Sequence, residues 1–460
     1  LWVMRGLGDI FGFTAGWSVL LAFTVDIALF AYTSISYLDR LLPSVVHLVP
    51  WVIVESIVVV GLLLMLNVRG VRESSKLNEI AGGIDILAES TLIAIGFAFA
   101  FNSGFYVHQV TDFFANFHAN HLLFGTSLAI VSFVGLESIS QAAQETERPT
   151  AVIPRTSVGL ILTILAYAIS LSNLSLGLVH WQTFDPSQAS LTPQFCHHLS
   201  LAACHDAHAQ HENAPMIWIA SNLPTIGPYL APVIAVLGTI LLLISSNSGV
   251  YGSSRIVYSM AQNNLMPGFF RRVSKTSRTP VVALIVFCAI AALELIAAGF
   301  TSNALESLAQ MYAFSAAINY LLVFIALIRL RFKDPDTPRT FMVPWNIPIH
   351  RPSGTYLVPI VGVLGTLFLI AVLVMVVLTN EIGRVAGPIW VLLGLLFYYL
   401  YRKRRGLPIL KSEERDWSKM QLDVYRESGE LGLAEEYEGA LKRRERIEKE
   451  PGKEEDEPLP

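Results

Sequence analysis

Five acidic residues, Asp26, Glu55, Asp85, Glu89 and Glu294, stand inside long apolar runs. If those runs cross a bilayer, each carboxylate is expensive where it stands and marks a candidate for ligand binding or ion coupling. Asp85 and Glu89 are four residues apart, which on a helix puts them on one face. Two close carboxylates in low dielectric cannot both ionise readily, so the pair is a candidate proton carrier. The plainer alternative is a wetted pair near a helix start. Ser245 and Ser246, followed by Asn247 and Ser248, place adjacent hydroxyls in another apolar run. They suit a cation, or they bond back to their own helix or to a neighbour. In Ser132–Arg155, SFVGLESISQAAQETERPTAVIPR, Gly135 interrupts an apolar run among Ser132, Glu137 and Ser138, and the segment then continues through acidic residues to Pro149 and Pro154. A helix can break inside a bilayer only where its freed backbone groups line protein or a water-filled cavity.

A second cluster is CHHLSLAACHDAHAQH, with Cys196, His197, His198, Cys204, His205, His208 and His211. Its spacing fits no closed zinc pattern, so no metal is assigned. On the outer side of a membrane, Cys196 and Cys204 could form a disulfide. Metal binding, imidazole pH sensing and plain solvation remain the other readings of the histidines. The third cysteine, Cys288, lies in an apolar run and reads as packing.

The elements that must hold these groups are membrane spans. The chain has 460 residues, of which 53% are hydrophobic and only 15% charged; soluble domains carry about 25% charge. Ten apolar runs approach or exceed the length needed to cross about 30 Å of hydrocarbon: Phe11–Tyr37, Leu48–Leu66, Ile80–Phe101, Leu122–Ser140, Val158–Val179, Ile226–Met260, Val281–Ala298, Leu305–Ile328, Tyr356–Leu378 and Ala386–Tyr401. Runs this long predict helices, since barrel strands would be shorter and alternate in polarity. The fold class is therefore all-α integral membrane.

Lys and Arg gather on alternate loops: Arg69, Arg72 and Lys76; Arg148 and Arg155; Arg271, Arg272, Lys275 and Arg278; Arg329, Arg331, Lys333 and Arg339. The intervening loops hold only Arg40 and Arg384, and the long ones, Asn102–Asn120 and His180–Thr225, hold neither Lys nor Arg. The positive-inside rule places the basic loops and both chain ends in the cytoplasm, with 180–225 outside the cell. The spans form one domain over residues 1–402, followed by a polar tail, 403–460. That tail opens next to the basic run Arg402, Lys403, Arg404 and Arg405, where anionic lipids would attract it. Leu431–Lys449 has helix-forming composition and PGKEEDEPLP reads as disordered. No histidine cluster or HExxH lies in the spans, and the GSSR of Gly252–Arg255 is too short for a phosphate loop. An enzyme is disfavoured, and no cofactor is expected.

Several stretches, in order, resemble the amino acid–polyamine–organocation transporter superfamily: RGLGDIFGFTAGW (Arg5–Trp17), NVRGVRESSKLN (Asn67–Asn78), SFVGLES with QETERPTAVIPR, NSGVYGSSRIVYSMAQNNLMP (Asn247–Pro267) and RFKDPDTPRTFMVP (Arg331–Pro344). The resemblance covers nearly all of Arg5–Tyr401 and implies the inverted-repeat fold shared with leucine-transporter-like proteins. In that register Phe11–Tyr37 corresponds to the family's third helix, so helices 3 to 12 are expected and the first two are missing. Half of the substrate site, contributed by the family's unwound first helix, would then be absent from the chain.

The resemblance implies secondary transport of amino acids or related amines by alternating access. Residues around the break would contact substrate through the backbone: Ser132, Phe133, Val134 and Gly135, with the aromatic ring covering it. Glu137 would join them, or would only cap and pack the second half-helix. Asp26, in the helix bordering the cavity, could attract an ammonium group or pair with a neighbour. Ser245 and Ser246 match hydroxyls of a sodium site in related folds. The family often has a lysine near Asp85; this chain has Asp, which favours proton over sodium coupling through Asp85 and Glu89. Glu55 and Glu294 fall in scaffold helices, where hydrogen bonding to a neighbour or carrying a proton is expected. A polyamine transporter, or a transporter-fold sensor without transport, is the alternative reading.

Overall fold

The computed structural model of the chain describes residues 2–39, 41, 49–70, 75–115, 117–135, 139, 146–179, 214–275, 279–301, 303–351 and 354–449. Among these, nine helices are long and apolar enough to cross a membrane.

A short α1 (Trp2–Leu7) turns through Gly8, at φ +103, into α2 (Asp9–Leu38). The α2 helix is apolar all round, and 83% of its apolar window is buried, against 17% or less for the spans Trp51–Arg69, Gly82–Ala100 and Pro149–Leu178. A helix hydrophobic on every face belongs in the interior, so α2 is the axis and those three present their apolar faces outward. Around α2 pack α3 (Val49–Arg69), α9 (Gly227–Gln262), α10 (Val281–Ala298) and α11 (Ala304–Lys333). The α9 contact is close because glycines face α2. A Cβ on Gly249 would stand 3.0 Å from the Phe23 carbonyl oxygen, and one on Gly252 would stand 2.7 Å from the Phe23 ring. Small residues let membrane helices approach to this distance.

Between α3 and α9 come α4 (Ser75–Ile95), which ends in a π-helical turn over Gly96–Ala100, then α5 (Ser103–Ala115), α6 (Ala119–Leu128), α7 (Pro149–Leu178) and a short α8 (Pro215–Ser221). The stretch Leu122–Ser140, expected as a tenth span, is helical only to Phe133. The fifteen apolar helical residues Ala119–Phe133 reach about 22 Å, short of about 30 Å of hydrocarbon.

After α11 an antiparallel hairpin, β1 (Asn346–Arg351) with β2 (Gly354–Pro359), precedes α12 (Ile360–Thr379). The span expected from Tyr356 thus begins four residues later. Tyr356 pairs with Ile349 in the hairpin, and Pro359, extended at the helix cap, marks the boundary. Then α13 (Gly383–Arg405) locks onto α2 by a reciprocal pair. Trp17 Nε1 donates to the Trp390 carbonyl at 2.8 Å and Trp390 Nε1 to the Trp17 carbonyl at 2.9 Å, with the rings stacked 4.7 Å apart. The segment after Arg405, which composition presents as a solvated extension, carries α14 (Trp417–Glu427) and α15 (Leu431–Lys449), packed together through Tyr425, Ala434 and Tyr437.

Candidate functional site

The interruption at Gly135 is built by the end of a helix. After α6, a 3-10 turn over Ala129–Phe133 tightens the chain, Val134 turns away with ψ 135°, and Gly135 takes φ +93°. A Cβ there would meet nothing within 4 Å, so the glycine answers to backbone conformation, not crowding. Ser132 is exposed, and Phe133, Val134 and Gly135 are partly so. Val131 and Val134 pack against a core cluster that includes Val25, Ile27 and Ala28 of α2. The break therefore lies in the same cluster as the middle of α2. Glu137 lies outside the described residues, as do Cys196, Cys204 and the histidines around them.

Asp26 sits in that middle stretch and is 3% exposed. Polar groups from two other helices meet α2 beside it. Ser246 Oγ of α9 donates to the Ile27 carbonyl at 2.9 Å. Thr24 Oγ1 of α2 donates to Glu294 Oε1 of α10 at 2.8 Å. The Ser246 hydroxyl thus joins helix to helix, a contact worth about 1 kcal/mol in membranes. Ser245, half-buried, offers its carbonyl to Ser248 Oγ at 2.7 Å. A further tie crosses from α3, where Asn67 Nδ2 donates to Asn247 Oδ1 at 2.5 Å.

Asp85 and Glu89 form a separate group. Both are half-buried in α4, one turn apart, and both are within electrostatic reach of the buried Tyr37 phenol near the end of α2. Tyr37 follows Asp26 by eleven residues, about 16 Å along the helix. One residue beyond Glu89, Ser90 Oγ lies 2.5 Å from Tyr167 OH, which donates to the Ile86 carbonyl at 3.2 Å. The fold thus gathers Asp26, Ser246 and the Gly135 break, and holds the Asp85–Glu89 pair apart from them on α4. The two groups are linked through α2.

Sequence reasoning passed over a third polar centre. Asp9, at the start of α2, is buried between two arginines: Arg402 Nη1 at 3.0 Å from α13 and Arg415 Nη1 at 2.6 Å from the segment before α14. Arg402 is fully buried. Nearby, Arg5 pairs with Asp334 and donates to Gln421 Oε1 at 2.8 Å. Glu430 accepts from the Thr150 amide at 3.2 Å and from its hydroxyl. Tyr425 OH donates to the Pro338 carbonyl at 3.3 Å, and burial pushes this phenol up to about 12. The tail hairpin is thereby fastened to α1, to the start of α7 and to the segment after α11. The charged residues of RGLGD and RKRR were its only signal, and sequence separation hides their pairing.

A bundle of membrane-length helices around a buried axis, with carboxylates inside the spans and one helix ended at a left-handed glycine, defines a multi-pass membrane transport protein, not an enzyme. The chain belongs to the amino acid permease family, which it matches over residues 1–398. It is 24% identical over 417 residues to the branched-chain amino acid permease BcaP of Bacillus subtilis (strain 168), covering 87% of this chain and 78% of that protein. It is 23% identical over 411 residues to the amino-acid permease RocC of the same organism, covering 87% and 79%. It is 27% identical over 353 residues to cationic amino acid transporter 4 of Mus musculus, covering 74% of this chain and half of that protein.

Proposed function

We propose that the protein carries amino acids or related amines across the cell membrane by alternating access, with its basic loops and C-terminal tail on the cytoplasmic side. The observation that carries this reading is the interruption at Gly135, in a member of the amino acid permease family, packed onto the stretch of α2 that holds Asp26. Backbone groups freed at Ser132–Gly135 are suited to the polar ends of an amino acid, and broken helices hold substrate this way in secondary transporters. Asp26 supplies a negative charge for an ammonium group. Branched-chain and cationic amino acids, the cargoes in the names of two relatives, lead the panel to be tried.

Coupling is assigned to the proton, through Asp85 and Glu89. Two carboxylates one turn apart in a low dielectric favour a shared proton, and Tyr37 links them to α2. Ser245 and Ser246 are the sodium alternative; the bond from Ser246 Oγ to Ile27 gives that hydroxyl a packing role instead. The coupling test is uptake of labelled amino acid into proteoliposomes with and without an inward proton gradient. The wild-type protein should accumulate substrate only with the gradient, and Asp85→Asn should remove that dependence. Unchanged gradient dependence in Asp85→Asn removes Asp85 from the mechanism.

A further inference from the structure

The four consecutive basic residues that end α13 are divided by the fold. Arg402 is fully buried against Asp9. Arg405 instead lines a surface concavity of about 620 Å³ with Arg271, Arg272, Tyr401 and Phe269. The floor includes Gly268, and a Cβ placed there would lie 3.7 Å from Arg271 Nε and 3.9 Å from Arg405 Nη2. Two guanidinium groups therefore converge over one bare glycine. Among the described residues none of Arg271, Arg272 and Arg405 has a carboxylate partner. The dipole of α13 accounts for cations at its own C-terminus. It does not account for Arg271 and Arg272, which arrive from the turn after α9. Like charges brought together without an anion repel, so the arrangement fits a site for one.

The concavity continues into apolar surface. Leu393, Phe397, Tyr401 and Arg405 follow one another at four-residue steps and form a ridge along α13. The Phe397 and Tyr401 rings are stacked, 6.3 Å between centroids. Leu393 is also the near wall of an apolar groove of about 490 Å³ lined by Val385, Ile389 and Trp390. From Leu393 to Arg405 the helix rises about 18 Å, close to the roughly 15 Å of hydrocarbon in one leaflet. A cationic cup, an aromatic collar and an apolar groove one leaflet deep match the headgroup, backbone and acyl chain of a phospholipid.

We propose that this face of α13 is a binding site for an anionic phospholipid. Its phosphate is held by Arg271, Arg272 and Arg405, whose forked donors suit phosphate oxygens, and an acyl chain runs along Phe397 to the groove at Leu393. The bound lipid joins the end of α13 to the turn after α9. The test uses the full-length protein in nanodiscs of pure phosphatidylcholine, or of phosphatidylcholine with phosphatidylglycerol. Unfolding midpoints are recorded, and retained lipid is counted by native mass spectrometry. Phosphatidylglycerol should raise the wild-type midpoint by about 2 °C and be retained on the protein. In Arg271→Ala/Arg272→Ala/Arg405→Ala, retention should fall at least about tenfold and the shift should vanish. The charge-matched control Arg426→Ala/Arg443→Ala/Arg446→Ala, on the tail helices, should keep both. Inorganic phosphate in phosphatidylcholine discs should give no shift. The proposal is overturned if the site variant keeps retention and shift, if the control loses them equally, or if free phosphate reproduces the effect.

Discussion

Asp9 and Gly135 show how much can rest on single residues. Asp9 is 2% exposed and receives Arg402 and Arg415 on its two oxygens. Removing one member of a buried ion pair leaves an uncompensated charge, at a cost of about 3–5 kcal/mol. Asp9→Asn should therefore lower the unfolding midpoint by several degrees, while Asp9→Leu with Arg402→Met recovers much of the loss; a double variant no better than the single would refute the pairing. Gly135 is the opposite case, since nothing crowds it and only its positive φ excludes other residues. Gly135→Ala should strain the backbone by about 1–3 kcal/mol. Under the proposed reading, substrate uptake falls by tenfold or more while the protein still folds. Full activity in that variant would detach the break from substrate. Gly135 was legible from its polar neighbours in an apolar run. The Asp9–Arg402 contact was not, because no local pattern links residues 393 positions apart.

At the scale of elements, the spans were legible because a bilayer imposes length and apolarity that a sequence cannot disguise. Nine of the ten expected runs correspond to membrane-length helices among the described residues. What escaped were elements whose order comes from contacts. The hairpin Asn346–Pro359 took the first residues of an expected span, since Tyr356–Pro359 are both apolar enough for a helix and paired to β1. The tail helices α14 and α15 looked soluble because they are, on one face; the other face meets Tyr425 and Tyr437. Tyr425 gives that docking a pH signature. An unfolded phenol titrates near pH 10, whereas Tyr425 is held protonated up to about 12. Its folded value is raised, so its contribution is complete below pH 10 and is lost as pH rises towards 12. Hydrogen exchange in α14 and α15 should be flat in protection from pH 7 to 9.5 and weaken above it, and Tyr425→Phe should remove that alkaline step. A step of equal size in the variant would assign it elsewhere.

For the whole molecule, α2 is the common reference. It carries Asp26 in the cluster that holds the break, Tyr37 beside Asp85 and Glu89, and Asp9 under the tail. A helix contacting all three centres is placed to transmit a change at one of them to the others, which alternating access requires of a site coupled to an ion. The most direct measurement of that account is counterflow. Proteoliposomes holding the full-length protein are loaded with an unlabelled amino acid and diluted, without any ion gradient, into a trace of the same amino acid labelled. Alternating access predicts that label rises transiently inside above its outside concentration, and only when the vesicles are preloaded. Label that enters preloaded, unloaded and protein-free vesicles at the same rate, across branched-chain and cationic amino acids alike, would contradict it.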